Sequence, residues 1–174
     1  MRTGGTVWWI STVTQTVELA KNNKGKGMAI QDIFQANRKS TERLRGIVKG
    51  LSKKELSQTI GNDWPISIIL AHLAFWDQRV IHVIGLAKKN NIVNAPLFDD
   101  QLNDILTPIF EAIPPGKTVE LAINMSSDLD QMLEDTPQNI IEQMMKINNR
   151  LVERSLHRNS HIDDIEAMLK GNKK

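Results

Sequence analysis

Trp64-Pro-Ile-Ser-Ile-Ile-Leu-Ala-His-Leu-Ala-Phe-Trp-Asp77 is the stretch on which the fold turns. Residues 68, 69, 72, 73, 76 and 80 fall on one side of an α-helix and read Ile, Ile, His, Leu, Trp, Val. A histidine on so apolar a face needs a hydrogen-bond partner or a metal, because burying an unpaired imidazole costs on the order of a few kcal/mol. Much later in the chain, His157-Arg-Asn-Ser-His161 sets two more imidazoles one turn apart on a second helix. Three histidines on two helices could meet in a helical interior and hold one divalent ion. The plain alternative is three hydrogen-bonded core histidines.

Outward from that stretch, the pattern is helical throughout. A first helix spans about Ile30 to Lys49 on the stripe Ile33, Phe34, Leu44, Ile47 and Val48, interrupted by Asn37 and Thr41. Those two polar residues read as a wet pocket or, more ordinarily, as a helix rim. Ser52-Lys-Lys-Glu55 is a capping-box pattern. The central helix has Trp64 near its N-cap and Pro65 in its first turn, and should stop at Asn90-Asn91. A third helix is broken: Leu102, Ile105, Leu106, Ile109 and Phe110 form one stripe that Pro108 should kink. Pro114-Pro-Gly116 should stop it, and a second piece runs over about Thr118 to Leu133. The last helix has Thr136 as N-cap and Pro137 as first residue. It carries Ile140, Met144, Ile147 and Leu151, then both late histidines, with a local bend expected at Asn159-Ser160. No segment alternates as a strand does.

Composition agrees with one all-α domain. At 174 residues the chain is long enough to bury a core, and 40% hydrophobic with 24% charged residues is ordinary for a globular protein. No apolar run is long enough for a membrane span, and Val7 to Ile10 is too short for a signal-peptide core, so a cytoplasmic protein is expected. There is no cysteine. Disulfides, thiolate zinc sites and cysteine nucleophiles are therefore excluded, and a metal must rest on histidine, carboxylate or water. Residues 1–27 hold Arg2, Lys21, Lys24 and Lys26 against Glu18, so the remainder is near neutral and carries no nucleic-acid footprint.

Residues 1–27 read as an extension to a domain spanning 28–174. They end in Asn22-Asn-Lys-Gly-Lys-Gly27, just before Met28. Lys-Gly-Lys-Gly is what a purine-rich ribosome-binding site gives when translated in frame, so Met28 is one candidate for the true start. A flexible tail is the other reading.

Other metal and nucleophile signatures are missing. There is no His-Glu-x-x-His, no Glu-x-x-His, no glycine-rich phosphate loop and no nucleophile elbow. His82 lies ten residues past His72, roughly 15 Å further along the helix and off its face, and reads as surface.

Trp64, Leu70-Ala-His-Leu-Ala-Phe-Trp-Asp77 and His157-Arg158-x-x-His161-x-x-x-Ile165-x-x-x-Leu169 together resemble the DinB-like superfamily. That group includes mycothiol-dependent maleylpyruvate isomerases and bacillithiol transferases. The resemblance covers about residues 30–170. It implies an up-down-down-up four-helix bundle, often a homodimer, with His72, His157 and His161 as metal ligands. The bare helical pattern suggests simple antiparallel order instead, but the long Asn90–Pro108 connection could cross a bundle. Many members follow the last histidine with Arg-Gly-Gln, where this chain has Ile162-Asp163-Asp164, so no substrate role carries over to that tripeptide.

Three neutral imidazoles leave open positions on a first-row divalent ion, zinc or nickel first and iron as a further option. Such an ion acidifies a bound water or holds the thiolate of a low-molecular-weight thiol cosubstrate against a small electrophile. Glu153 could orient His157, or pair with Arg150 or Arg154 at the surface; Asp164 is a similar candidate beside His161. The expected activity is a metal-dependent thiol transferase or hydrolase acting on a small molecule. The alternatives are a non-catalytic metal- or ligand-binding bundle in a stress response, or a structural dimer.

Overall fold

The computed structural model describes residues 29–60, 64–96 and 101–171. Contacts separate Met1–Ile30 from Gln31–Lys174, and the following concerns the second unit. Both readings of residues 1–27 and the candidate start at Met28 lie outside the described residues.

The chain is mostly helical. In order it forms α1 (Ile30–Val48), the short α2 (Lys53–Leu56), α3 (Ile66–Asn90), α4 (Gln101–Glu111), α5 (Pro115–Glu134), α6 (Gln138–Ile147) and α7 (Arg154–Gly171). A 3-10 turn at Asn149–Leu151 separates the last two. No helix among the described residues is long and apolar enough to cross a membrane.

Local chemistry sets most of the boundaries. Ser52 and Glu55 form the expected reciprocal capping box. α3 stops where Asn91 takes a left-handed conformation, φ 54°, which asparagine tolerates better than most residues. Pro115 opens α5 at a position where its missing N–H costs nothing. Trp64 stands next to the N-cap of α3, as expected; the cap itself is Pro65, and the two form a two-residue strand paired antiparallel to Thr59–Ile60. Two expectations are corrected here. Thr136 turns its hydroxyl back to the Met132 carbonyl instead of capping α6. The bend expected at Asn159-Ser160 falls earlier, at 148–153.

Asn37 explains that earlier break. Its Nδ2 donates to the Val152 carbonyl at 2.8 Å, and its Oδ1 accepts from the Ser155 amide at 2.9 Å. One side chain thus satisfies a carbonyl and an amide that an uninterrupted helix would have bonded internally. Asn37 and Thr41 are buried, 1% and 3% exposed, so they are neither rim nor wet pocket.

α3 is the central element, buried without interruption from Ile66 to Ala74. A helix that is apolar on all sides belongs in an interior. Its most extensive partner is α5, whose Thr118, Ala122 and Ser126 are fully buried and small enough to let the helices approach. Leu44 and Val48 of α1, Ile66, Leu70 and Leu73 of α3, Ala122 of α5, and Ile162 and Ile165 of α7 share one core. On the other side, α4 packs Phe110 against Ile68 and Ala71. The stripe expected on α4 is only half buried: Ile105 and Ile109 face outward.

A buried ion network crosses this core. Asp77 of α3 binds Arg154 at 2.9 Å and Arg158 at 3.0 Å, and accepts from Ser126 Oγ at 2.8 Å. Arg158 also meets Asp130 of α5 at 2.7 Å, and Thr41 of α1 donates to that carboxylate at 2.6 Å. Burial pushes the Asp77 carboxyl up, but Arg158 and Arg154 outweigh it and hold Asp77 below its ordinary value. Removing one partner from such a cluster strands a buried charge and costs roughly 3–5 kcal/mol. Arg158→Leu should therefore lower the urea midpoint severely or abolish folding. Arg38→Ala, which loses the exposed contacts with Glu134 and Gln131, should leave the midpoint nearly unchanged. Equal midpoints for Arg158→Leu and wild type would show that the network contributes nothing to stability.

Candidate metal centre

His72 points from the second turn of α3 toward α7, where His157 and His161 stand one turn apart. The three ring centroids are 5.1, 5.0 and 5.0 Å from one another, a near-equilateral cluster. One ligand nitrogen from each lies within 4.8 Å of the others, so these three histidines could hold a metal ion. His72 is 2% exposed, whereas His157 and His161 are half-buried, so the cluster has an inner wall and an outer side. His82 is exposed and belongs to no such group.

Hydrogen bonds assign the protons. Arg154 Nη2 donates to His157 Nδ1 at 3.1 Å, and a guanidinium can only donate. His157 therefore carries its proton on Nε2, which donates across 3.1 Å to His72 Nε2. His72 in turn carries its proton on Nδ1, a buried atom with no hydrogen-bond partner. Trp64 and Trp76 flank the His72 ring at 5.4 and 6.1 Å.

The donor set fits a divalent ion. Two nitrogens each about 2.1 Å from one ion, at roughly 90–110°, stand about 3.0–3.4 Å apart. The Nε2–Nε2 separation of 3.1 Å lies in that window; ligation through His157 Nε2 would move its proton to Nδ1 and so open the contact with the Arg154 guanidinium. All three rings are also neutral at neutral pH, the form that ligates. Burial, then His161 and Arg154, push His72 down to about 3. Burial brings His161 down to about 4. Burial followed by Arg154 keeps His157 well below its usual range.

Two expected neighbours do not reach the cluster. Glu153 accepts from Asn149, and the group on His157 is Arg154 instead. Asp164 lies exposed on α7. Arg154 itself is anchored by Asp77 and by the Arg150 carbonyl at 2.8 Å. The readable sign of its role was its spacing. Arg154 and Arg158 share the stretch that carries the histidine pair, and each charge on that inward face needs an opposite charge such as Asp77.

No family model, curated protein or solved structure matches this chain in the comparisons made.

The depressed histidines make stability depend on pH with a definite sign. The unfolded chain takes up protons near the ordinary value of 6.5, while the folded protein does not until about 3 to 4. Metal-free protein should therefore lose stability as pH falls from 7 to 5, on the order of 2 kcal/mol per buried histidine. Urea titrations at pH 7, 6 and 5 should show this trend, and His161→Gln should flatten it by one proton. A midpoint constant over that interval would contradict the buried, neutral assignment.

Proposed function

We propose that this protein binds a divalent metal through His72, His157 and His161 and uses it as a thiol transferase or hydrolase acting on a small electrophilic substrate. The observation that carries the reading is the convergence of three neutral imidazoles, with the two Nε2 atoms 3.1 Å apart. The proposal extends to the fold: an up-down-down-up four-helix bundle of DinB-like type, acting as a cytoplasmic homodimer. The shared core of α1, α3, α5 and α7 supports a bundle of four main helices.

The chain's own residues divide the work. His72 supplies the deep, fixed nitrogen. His157 and His161 supply two nitrogens on the half-buried side, the one a small molecule would approach. Asp77 anchors Arg154 beside His157. A bound divalent ion supplies Lewis acidity, sufficient to acidify water or to hold a thiolate deprotonated. With no cysteine in the chain, no internal thiol competes for that position.

A second reading keeps the histidines as core residues only. The contact between His72 and His157 favours it, since a hydrogen bond alone accounts for 3.1 Å. Against it stands His72 Nδ1, buried and unpartnered in a position where an apolar side chain would cost nothing.

Elemental analysis of tag-free protein decides between them. Near-stoichiometric zinc, nickel or iron is expected in wild type and in His82→Ala, with loss in His72→Ala, His157→Ala and His161→Ala. Metal-free wild type that also fails to take up zinc would leave only the core-histidine reading. Conjugation of low-molecular-weight thiols to a model electrophile then tests catalysis. Metal-loaded protein with no turnover for any thiol, and no hydrolysis of the electrophile, would leave a binding protein.

A further inference from the structure

Arg154 presents its guanidinium to a ring proposed above as a metal ligand. The head is a rigid plane with donors along its edges. Its Nε is on Asp77 at 2.9 Å, its Nη1 on the Arg150 carbonyl at 2.8 Å and its Nη2 on His157 Nδ1 at 3.1 Å. The first two contacts pin the plane, so it cannot turn from His157 without giving up a bond to Asp77 or Arg150. Arg154 is 5% exposed, which leaves water poorly placed to replace either.

Hydrogen bonds therefore run one way through the cluster. Arg154 donates to His157 Nδ1, and His157 Nε2–H donates to His72 Nε2. Both contacts are satisfied with no ion between the rings. The same geometry works against an ion. The guanidinium covers His157 Nδ1, so Nε2 is the nitrogen left to a metal. Nε2 must first give up its proton, and the neutral ring then carries it on Nδ1, against a group that can only donate. The buried positive charge beside the ring adds repulsion between like charges.

We infer that Arg154 is a positioning residue that holds His157 in a metal-free arrangement: its bond to Nδ1 and a metal on Nε2 exclude each other. The site then has two closed forms, one completed by Arg154 and one by the ion. The guanidinium lowers metal affinity by the strength of the charge-assisted hydrogen bond it gives up, about tenfold or more. The effect reaches the core, because Arg154 shares Asp77 with Arg158.

The inference rests on the proposed metal centre, and the test separates the two. Ring-nitrogen NMR of metal-free wild type should find His157 protonated on Nε2. Zinc should move that proton to Nδ1 and speed exchange of the Arg154 Nη protons. In chelator competition, Arg154→Gln, which removes the charge and keeps an amide, should bind zinc at least about tenfold more tightly than wild type. Loss of a merely structural contact would weaken binding instead. A His157 proton on Nδ1 in the metal-free protein overturns the inference, as does equal or weaker zinc binding by folded Arg154→Gln. Zinc binding by wild type in either case leaves the metal centre standing. Failure of both proteins to take up zinc overturns the metal reading and the inference with it. Should Arg154→Gln fail to fold, wild type decides: a His157 proton that stays on Nε2 with zinc bound refutes the exclusion.

Discussion

A carboxylate with no exposure to solvent, Asp77, constrains everything around it. It sits on the central helix and must be matched by charge, because an isolated buried carboxylate costs more than folding can supply. Arg154 and Arg158 provide that match from α7, Ser126 adds a hydroxyl from α5, and Asp130 with Thr41 completes the ring around Arg158. Two arginines and two aspartates cancel. Shifting one of these helices along its axis would leave an ion unpaired. The network therefore sets helix register in a way that the surrounding leucines and isoleucines, being non-directional, do not.

Register is what the histidine cluster needs. His157 lies between Arg154 and Arg158 on α7, and His72 lies just over a turn before Asp77 on α3. Once Asp77 fixes the two arginines, the imidazoles can face each other only across a narrow range of separations. Arg154 belongs to both assemblies, with Nε on Asp77 and Nη2 on His157. The break at 148–153 serves the same end. Asn37 from α1 clamps both sides of it, so α7 starts in a direction set by tertiary contact and not by continuation of α6.

Helix positions were readable from the sequence wherever side-chain period and capping chemistry agreed. Ile66 to Asn90, the Ser52–Glu55 box and the stop at Asn91 are such places. The three histidines were readable because imidazoles are rare on apolar faces. The bend was misplaced because Asn159-Ser160 is the weaker local helix former, while the actual break depends on a side chain more than a hundred residues away. Asn37 and Thr41 were misread for the same reason. Local pattern reports that a polar residue interrupts a stripe, but not that a buried acid or a freed carbonyl waits opposite. The contact of Arg154 with His157 was not legible, because it exists only once Asp77 of α3 and the first turn of α7 are assembled.

The tripeptide after His161 shows how far the packing accounts for residues that might otherwise be assigned to chemistry. Ile162 is fully buried in the shared core, beside Leu70 and Leu73. Asp163 turns outward to Arg43 of α1 at 2.7 Å, and Glu166 meets the same guanidinium at 3.2 Å. Asp164 is exposed. The segment therefore alternates between core contact and a surface ion pair that ties α7 to α1. Any group that binds a substrate has to be sought elsewhere: among the half-buried faces of His157 and His161, or around the indoles that flank His72.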